Sequence, residues 1–130
     1  MAFYVESSAA AKLVLDEPES DSLEAWMLAT AGTYVTSDLT RTELIRATRR
    51  FAPDRMGEAR QVLDNLSIMS IPTRVFRQAG LIEPRTLRSL DSIHLAAALE
   101  LGDELDGIVT YDDRLADAAT QLGISVVAPA

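Results

Sequence analysis

Five short apolar runs with β-type composition punctuate the chain, at residues 2–5, 33–37, 67–71, 107–110 and 125–127. Between them, apolar positions recur every three or four residues, the spacing of a helix that buries one face. This predicts a helical pair over 8–15 and 20–31, interrupted at Glu17-Pro18 because proline disfavours helical backbone in the residue before it. A second pair is expected over 40–51 and 54–65, broken at Ala52-Pro53, and a short helix over 72–79 stopping at Gly80. The segment 89–101 carries Leu90, Ile93, Ala97 and Leu101 as a helical stripe and ends at Gly102. A last helix is predicted over 112–122, closed by Gly123. Strands alternating with helices imply a mostly parallel sheet covered on both faces. With no internal repeat and no linker, residues 1–130 read as one three-layer α/β domain.

Composition narrows the chemistry. Nearly half of the residues are apolar and no tract is of low complexity, so the chain has the makings of a hydrophobic core. The absence of cysteine excludes disulfides, thiolate catalysis and cysteine-based zinc sites. Neither a leader-like segment nor an apolar run of membrane-spanning length is evident, and a soluble, cytoplasmic protein is expected. The net charge of −8 is unevenly spread. Residues 1–40 carry one base against seven acids, residues 89–130 one base against eight, and residues 41–88 ten arginines against five acids. An acidic total argues against nucleic-acid binding by bulk charge alone. The arginine-rich middle reads either as solvated helix faces or as a local track for a polyanion.

Four acidic residues stand where strands end or helices begin. Each has an ordinary structural explanation. Thr40-Arg41-Thr42-Glu43 fits a capping box. Asp91 lies in a first helical turn, where the helix dipole favours negative charge. Asp112 fits an N-cap, and Glu6 could be a solvated residue at a strand end. Taken together they suggest more. In a parallel sheet, strand C-termini and the following helix N-termini share one edge, and ligands bind there where the strand order reverses. Two carboxylates about 4 Å apart repel by roughly 4 kcal/mol at an effective dielectric near 20. A cluster of four therefore calls for protons or a cation. All-oxygen ligation with one histidine favours Mg²⁺ or Mn²⁺ over zinc, and hydrolysis of a phosphodiester is the natural task of such a site.

The segments Tyr4-Val5-Glu6-Ser7-Ser8-Ala9, Thr42-Glu43-Leu44, Leu90-Asp91-Ser92-Ile93-His94-Leu95-Ala96-Ala97-Ala98 and Val109-Thr110-Tyr111-Asp112, with Arg114-Leu115 following, resemble in order and spacing a PIN-domain ribonuclease of the VapC toxin type. The resemblance covers essentially the whole chain. It implies a five-stranded parallel sheet in the order 3-2-1-4-5 flanked by helices. It also implies a Mg²⁺- or Mn²⁺-dependent endoribonuclease that cuts structured RNA, whether tRNA or rRNA, and arrests translation. A VapB-like antitoxin would neutralise it, and a homodimer would sit within the larger complex. Carried over by position, Glu43, Asp91 and Asp112 would bind or orient the metal; apart from the resemblance, Asp117 is a further residue that could extend the acidic cluster. Ser8 and Thr110 would hold carboxylates by hydrogen bonds.

One residue departs from the pattern. Glu6 stands where the family has an Asp, and the extra methylene displaces the carboxylate by about 1 Å, a shift that can cost on the order of 100-fold in rate. The alternative function is thus a catalytically weakened PIN domain that serves mainly as an antitoxin- or RNA-binding module. Among the remaining residues, His94 shares a helix face with Asp91 and is expected to be structural. Asp113 reads as a solvated helix start, Arg114 as a phosphate contact or an ion-pair partner, and Trp26 as core. A phosphoacceptor receiver domain fails on two counts: strand three ends in Ser70-Ile71-Pro72, and the only lysine is Lys12. A dehalogenase-like phosphatase would need Asp-x-Asp where the chain has Glu6-Ser7-Ser8.

Overall fold

Strand β1 (Ala2–Val5) is buried at all four positions, as the centre of a parallel sheet covered on both faces requires. The computed structural model describes residues 1–130. In it β1 pairs in parallel with β2 (Thr33–Ser37) on one side and with β4 (Leu105–Val109) on the other. β3 (Ser67–Met69) and β5 (Val126–Val127) form the edges, giving the order β3-β2-β1-β4-β5. The strand order expected from the family resemblance is the one observed.

Alternation along β1 divides the core in two. Phe3 and Val5 pack with residues of α1 (Ser7–Lys12), α2 (Ser20–Ala29), α3 (Asp38–Phe51) and α4 (Met56–Asn65). Tyr4 faces the other way, into a cluster built by α5 (Thr73–Ala79), α6 (Ser89–Leu99) and α7 (Asp113–Gln121). Trp26 meets Phe3 and Tyr34 edge-on, a core role as expected. No helix is long and apolar enough to cross a membrane.

Several boundaries differ from the sequence reading. Helix α1 stops at Lys12 rather than continuing to residue 15, because the N–H groups of Leu13 and Val14 turn to carbonyls three residues back, and Arg55 and Ser20 then satisfy the open Val14 and Leu15 carbonyls. Helix α2 ends at Ala29, where the Tyr34 hydroxyl claims the Thr30 carbonyl. Pro53–Arg55 form a separate 3₁₀ turn ahead of α4. β3 stops at Met69, and β4 starts two residues earlier than expected, after a second 3₁₀ turn at Gly102–Glu104. Helix α3 begins at Asp38, with Ser37 as N-cap, so Glu43 sits in the second turn and the capping box proposed for Thr40 and Glu43 does not form.

This topology fixes the geography of the site. The chain leaves β1 toward β2 on one side and returns to β4 on the other, so the strand order reverses between β1 and β4. Crevices at such reversals, outside the carboxyl ends of the strands, are where ligands bind. Glu6 follows β1 and Thr110 follows β4, joined by a bond from the Glu6 backbone N–H to the Val109 carbonyl at 3.0 Å.

Candidate active site

Glu6 is 95% buried, and a buried carboxylate must find donors. It has three. Oε1 accepts the backbone N–H of Ser8 at 3.1 Å, capping α1. Oε2 accepts the Ser8 hydroxyl at 2.5 Å and the Thr110 hydroxyl at 2.6 Å. Ser8 Oγ in turn accepts the Tyr111 N–H, and Thr110 Oγ1 accepts the Asp112 N–H. The two hydroxyls therefore lace the ends of β1 and β4 together around one carboxylate. Both Glu6 oxygens are engaged.

Asp112 is the N-cap of α7. Its Oδ1 accepts the N–H groups of Arg114 and Leu115 at 3.0 and 3.1 Å, satisfying two donors that a helix start otherwise leaves open. Oδ2 makes no protein hydrogen bond. Asp91, in the first turn of α6, receives no side-chain or backbone donor at all. Burial pushes its carboxyl above the usual range, and the charges of Asp112 and Glu6 push it further; His94 and Arg88 oppose this more weakly. These three carboxylates thus share one electrostatic neighbourhood.

Glu43 is held differently. Its Oε1 accepts the Ser7 hydroxyl at 2.5 Å and lies 2.6 Å from His94 Nε2, while Oε2 is free. Burial alone would raise this carboxyl, but the His94 and Ser7 hydrogen bonds outweigh it and hold Glu43 below the ordinary range. Asp117 is exposed and lines a cavity of about 390 Å³ with Asp91, Arg88 and Arg114. Asp113 is exposed at the helix start.

This fold and carboxylate pattern were compared with known proteins. The PIN-domain family model matches residues 3–121. The chain belongs to the PIN-domain family. Within it, the chain is 43% identical over 128 residues to Ribonuclease VapC46 of Mycobacterium tuberculosis, covering 98% of each, and 41% identical over 130 residues to Ribonuclease VapC47 of the same species, covering 97% of this chain and 96% of the other. The VapC-type reading is therefore the right one. Among solved structures, Mycobacterium tuberculosis VapC20, described as a sarcin–ricin loop cleaving toxin, superposes with a TM-score of 0.74 at 14% identity, covering 89% of this chain and 94% of that one. VapBC2 from Rickettsia felis, bound to a DNA fragment from its promoter, gives 0.72 at 13% identity and full coverage of both chains. At such identities the likeness is one of fold.

Against that background, the PIN domain's donor set can be weighed for a divalent ion. Asp91, Asp112 and Glu43 each offer at least one carboxylate oxygen without a protein partner, and oxygen donors of this kind suit Mg²⁺ or Mn²⁺. The raised Asp91 carboxyl marks a place where a cation would relieve repulsion. In the arrangement seen, no three Asp, Glu or His side chains lie close enough to hold one ion between them. Glu6 is fully occupied by Ser8 and Thr110, while His94 and Ser7 hold only Oε1 of Glu43 and leave its Oε2 free. The donor chemistry fits a hard divalent ion, and engagement would require these side chains to close further.

Two participants were not legible in the sequence. Ser7 carries no role in the sequence reading, and it donates to Glu43. Tyr4 had been read as one more apolar strand residue, yet its hydroxyl is buried against Ser37 and His94. The one available signal for Tyr4 is its hydroxyl in a strand that is otherwise wholly apolar.

Proposed function

We propose that this PIN domain is a metal-dependent endoribonuclease that cleaves structured cellular RNA, a tRNA or an rRNA loop, and so inhibits translation. The observation that carries the reading is the Asp91 carboxyl, left without donors between Asp112 and Glu6 at the crevice of the sheet. The names of the relatives, ribonucleases matched along their whole length, support the same class of reaction. Asp91, Asp112 and Glu43 would hold Mg²⁺ or Mn²⁺, with Glu6 as a fourth carboxylate beside them. When bound, the ion supplies charge neutralisation at the scissile phosphate and activates the attacking water.

The protein's own residues do the remaining work. The α7 amides hold Oδ1 of Asp112 and leave Oδ2 without a protein partner. Ser8 and Thr110 immobilise Glu6, and Ser7 with His94 immobilises Glu43. Such restraint limits the movement by which these carboxylates would close on an ion. RNA would be guided by the arginines of the middle segment. Arg46, Arg49 and Arg50 are exposed on one face of α3, form no ion pair and surround a shallow concavity. At 1.5 Å rise per residue they lie roughly 5–10 Å beyond Glu43 along the helix axis. A single-stranded loop is the form of RNA that can be splayed into such a site.

Solved relatives in complex with antitoxins, including one titled as a toxin–antitoxin complex from Klebsiella pneumoniae, support a VapB-like antitoxin as the partner. A homodimer within that assembly, in the cytoplasm where the RNA target resides, completes the proposal. The second reading, a weakened PIN domain acting mainly as a binding module, is favoured by Glu6, whose two oxygens are both consumed within the protein. Incubating total RNA with this chain, Glu6→Asp and Asp91→Asn in Mn²⁺ or Mg²⁺ separates the two. Cleavage by this chain but not by Asp91→Asn supports the nuclease, and cleavage appearing only in Glu6→Asp supports a competent scaffold impaired at one ligand. Absence of metal-dependent cleavage in both of the first two would refute it.

A further inference from the structure

The buried polar atoms on the α6 side of β1 form one continuous line. Ser37 Oγ lies 2.8 Å from the Tyr4 hydroxyl, which lies 2.8 Å from His94 Nδ1. His94 Nε2 then lies 2.6 Å from Glu43 Oε1, where the Ser7 hydroxyl also arrives. Tyr4 and His94 are almost wholly inaccessible, and no buried side-chain polar atom in the protein lacks a partner. Burying a tyrosine hydroxyl and an imidazole beside an alanine-rich helix is costly unless each is bonded, and an apolar pair would fill the same space. The line must therefore do something that packing alone does not.

Its end point shows what. Glu43 Oε1 already accepts the Ser7 hydroxyl, and a carboxylate offers no hydrogen of its own, so His94 Nε2 carries the hydrogen in that contact. Which ring nitrogen donates is governed by the bond at the other nitrogen, here the one to Tyr4. Tyr4 is in turn anchored by Ser37 at the end of β2. The imidazole is thus fixed in rotation and in tautomer from behind. Glu43 comes from the second turn of α3, a flexible side chain that would otherwise sample several rotamers.

We propose that Tyr4 and His94 are positioning residues for Glu43: they pin Oε1 inside the protein so that Oε2 is the oxygen presented to a divalent ion. The inference rests on the reading of Glu43 as a metal ligand. It gives the chain's only histidine a supporting task and assigns no proton transfer to it.

The test measures Mn²⁺ binding by calorimetry or by the resonance of free Mn²⁺, independently of RNA cleavage. Outer partners of metal ligands commonly contribute 10- to 100-fold in affinity. Tyr4→Phe and His94→Leu are expected to weaken Mn²⁺ binding about tenfold. His94→Gln, whose amide nitrogen reaches roughly the place of Nε2, should stay within about threefold of the natural chain. In a Glu43→Gln background, Tyr4→Phe should cost less than about twofold more. An equal loss from Tyr4→Phe in both backgrounds would mean a general packing defect and overturn the proposal, as would no loss in either. If the natural chain binds no Mn²⁺, the metal reading fails separately, and the imidazole decides. Nitrogen-15 spectra of the single histidine should then still show a protonated Nε2 hydrogen-bonded in the natural chain and altered in Glu43→Gln. A protonated Nδ1, or a signal indifferent to Glu43→Gln, would sink the positioning role.

Discussion

Thr110 donates its hydroxyl to Glu6 Oε2 at 2.6 Å, joining two residues 104 positions apart across the crevice between β1 and β4. With Ser8 on the same oxygen, the contact turns Glu6 inward. The longer side chain of Glu is what allows it to fold back onto the start of α1 and still reach Thr110. Shortening it to Asp draws the carboxylate back by about 1 Å. Glu6→Asp is expected to raise the metal-dependent rate of RNA cleavage by roughly tenfold to a hundredfold, the scale associated with a displacement of about 1 Å. Single-turnover assays on the two forms check this, and equal rates would show that Glu6 already works in the pose observed.

Asp91 gives a prediction about stability with a definite sign. Its carboxyl is raised in the folded chain by burial and by Asp112 and Glu6, so the folded state holds this proton more tightly than the unfolded state. The penalty is absent below the ordinary Asp range, grows as pH rises through the interval up to the raised value, and is complete at neutral pH. Asp91→Asn should therefore increase Tm at pH 7 in metal-free buffer while abolishing cleavage. A change of ~4 °C corresponds to each kcal/mol relieved in a chain of this size. The gain should disappear near pH 3, and thermal scans at the two pH values would expose a wrong sign.

Divalent ions should stabilise the natural chain and not Asp91→Asn. An ion present at 100 times its Kd, bound only by the folded state, adds about 2.7 kcal/mol. Differential scanning fluorimetry across a Mn²⁺ titration measures it, and a matching shift in Asp91→Asn would place the ion elsewhere.

Asp112 combines a structural and a chemical task, and the two can be separated. Asn caps a helix about as well as Asp, whereas Ala forfeits about 1 kcal/mol. Asp112→Asn is thus expected to keep stability within ~0.5 kcal/mol and lose cleavage, while Asp112→Ala loses both. Urea unfolding read beside RNA cleavage distinguishes them. Retained cleavage in Asp112→Asn would remove this residue from the metal site.

The arginine face of α3 predicts a salt effect. Each phosphate contact to a single strand contributes about 0.7 to the slope of log affinity against log salt. Replacing Arg46, Arg49 and Arg50 by Ala should flatten that slope by about 2 and weaken RNA binding, with little change in the rate of bound RNA. Binding isotherms at several ionic strengths provide the measurement, and an unchanged slope would locate the RNA path elsewhere.

How far the sequence foretold this molecule depended on the range of the interaction involved. The alternation of strands and helices is written in local periodicity, and every strand and helix expected was found, though with displaced ends. Those ends moved where contacts beyond the local pattern complete the backbone bonding, as Arg55 does at the Val14 carbonyl after α1. The N-cap at Asp112 was legible because a cap is decided within three residues. Glu43 was legible as a candidate, but its partners were not, because Ser7 and His94 come from other helices and only the fold brings them together. The inward turn of Glu6 is a choice of rotamer, which residue order does not encode.

The pairing of β1 with β4 also has a consequence in time. A chain being synthesised displays Glu6 first, but Thr110 and Asp112 only after more than four-fifths of its residues have been joined. Until then, β1 lacks its neighbour on one side, and Glu6 lacks its Thr110 donor. Contacts so distant in sequence are also the slow ones to form. On the proposed reading, the RNA-cleaving site is thereby kept incomplete while its own message is being read.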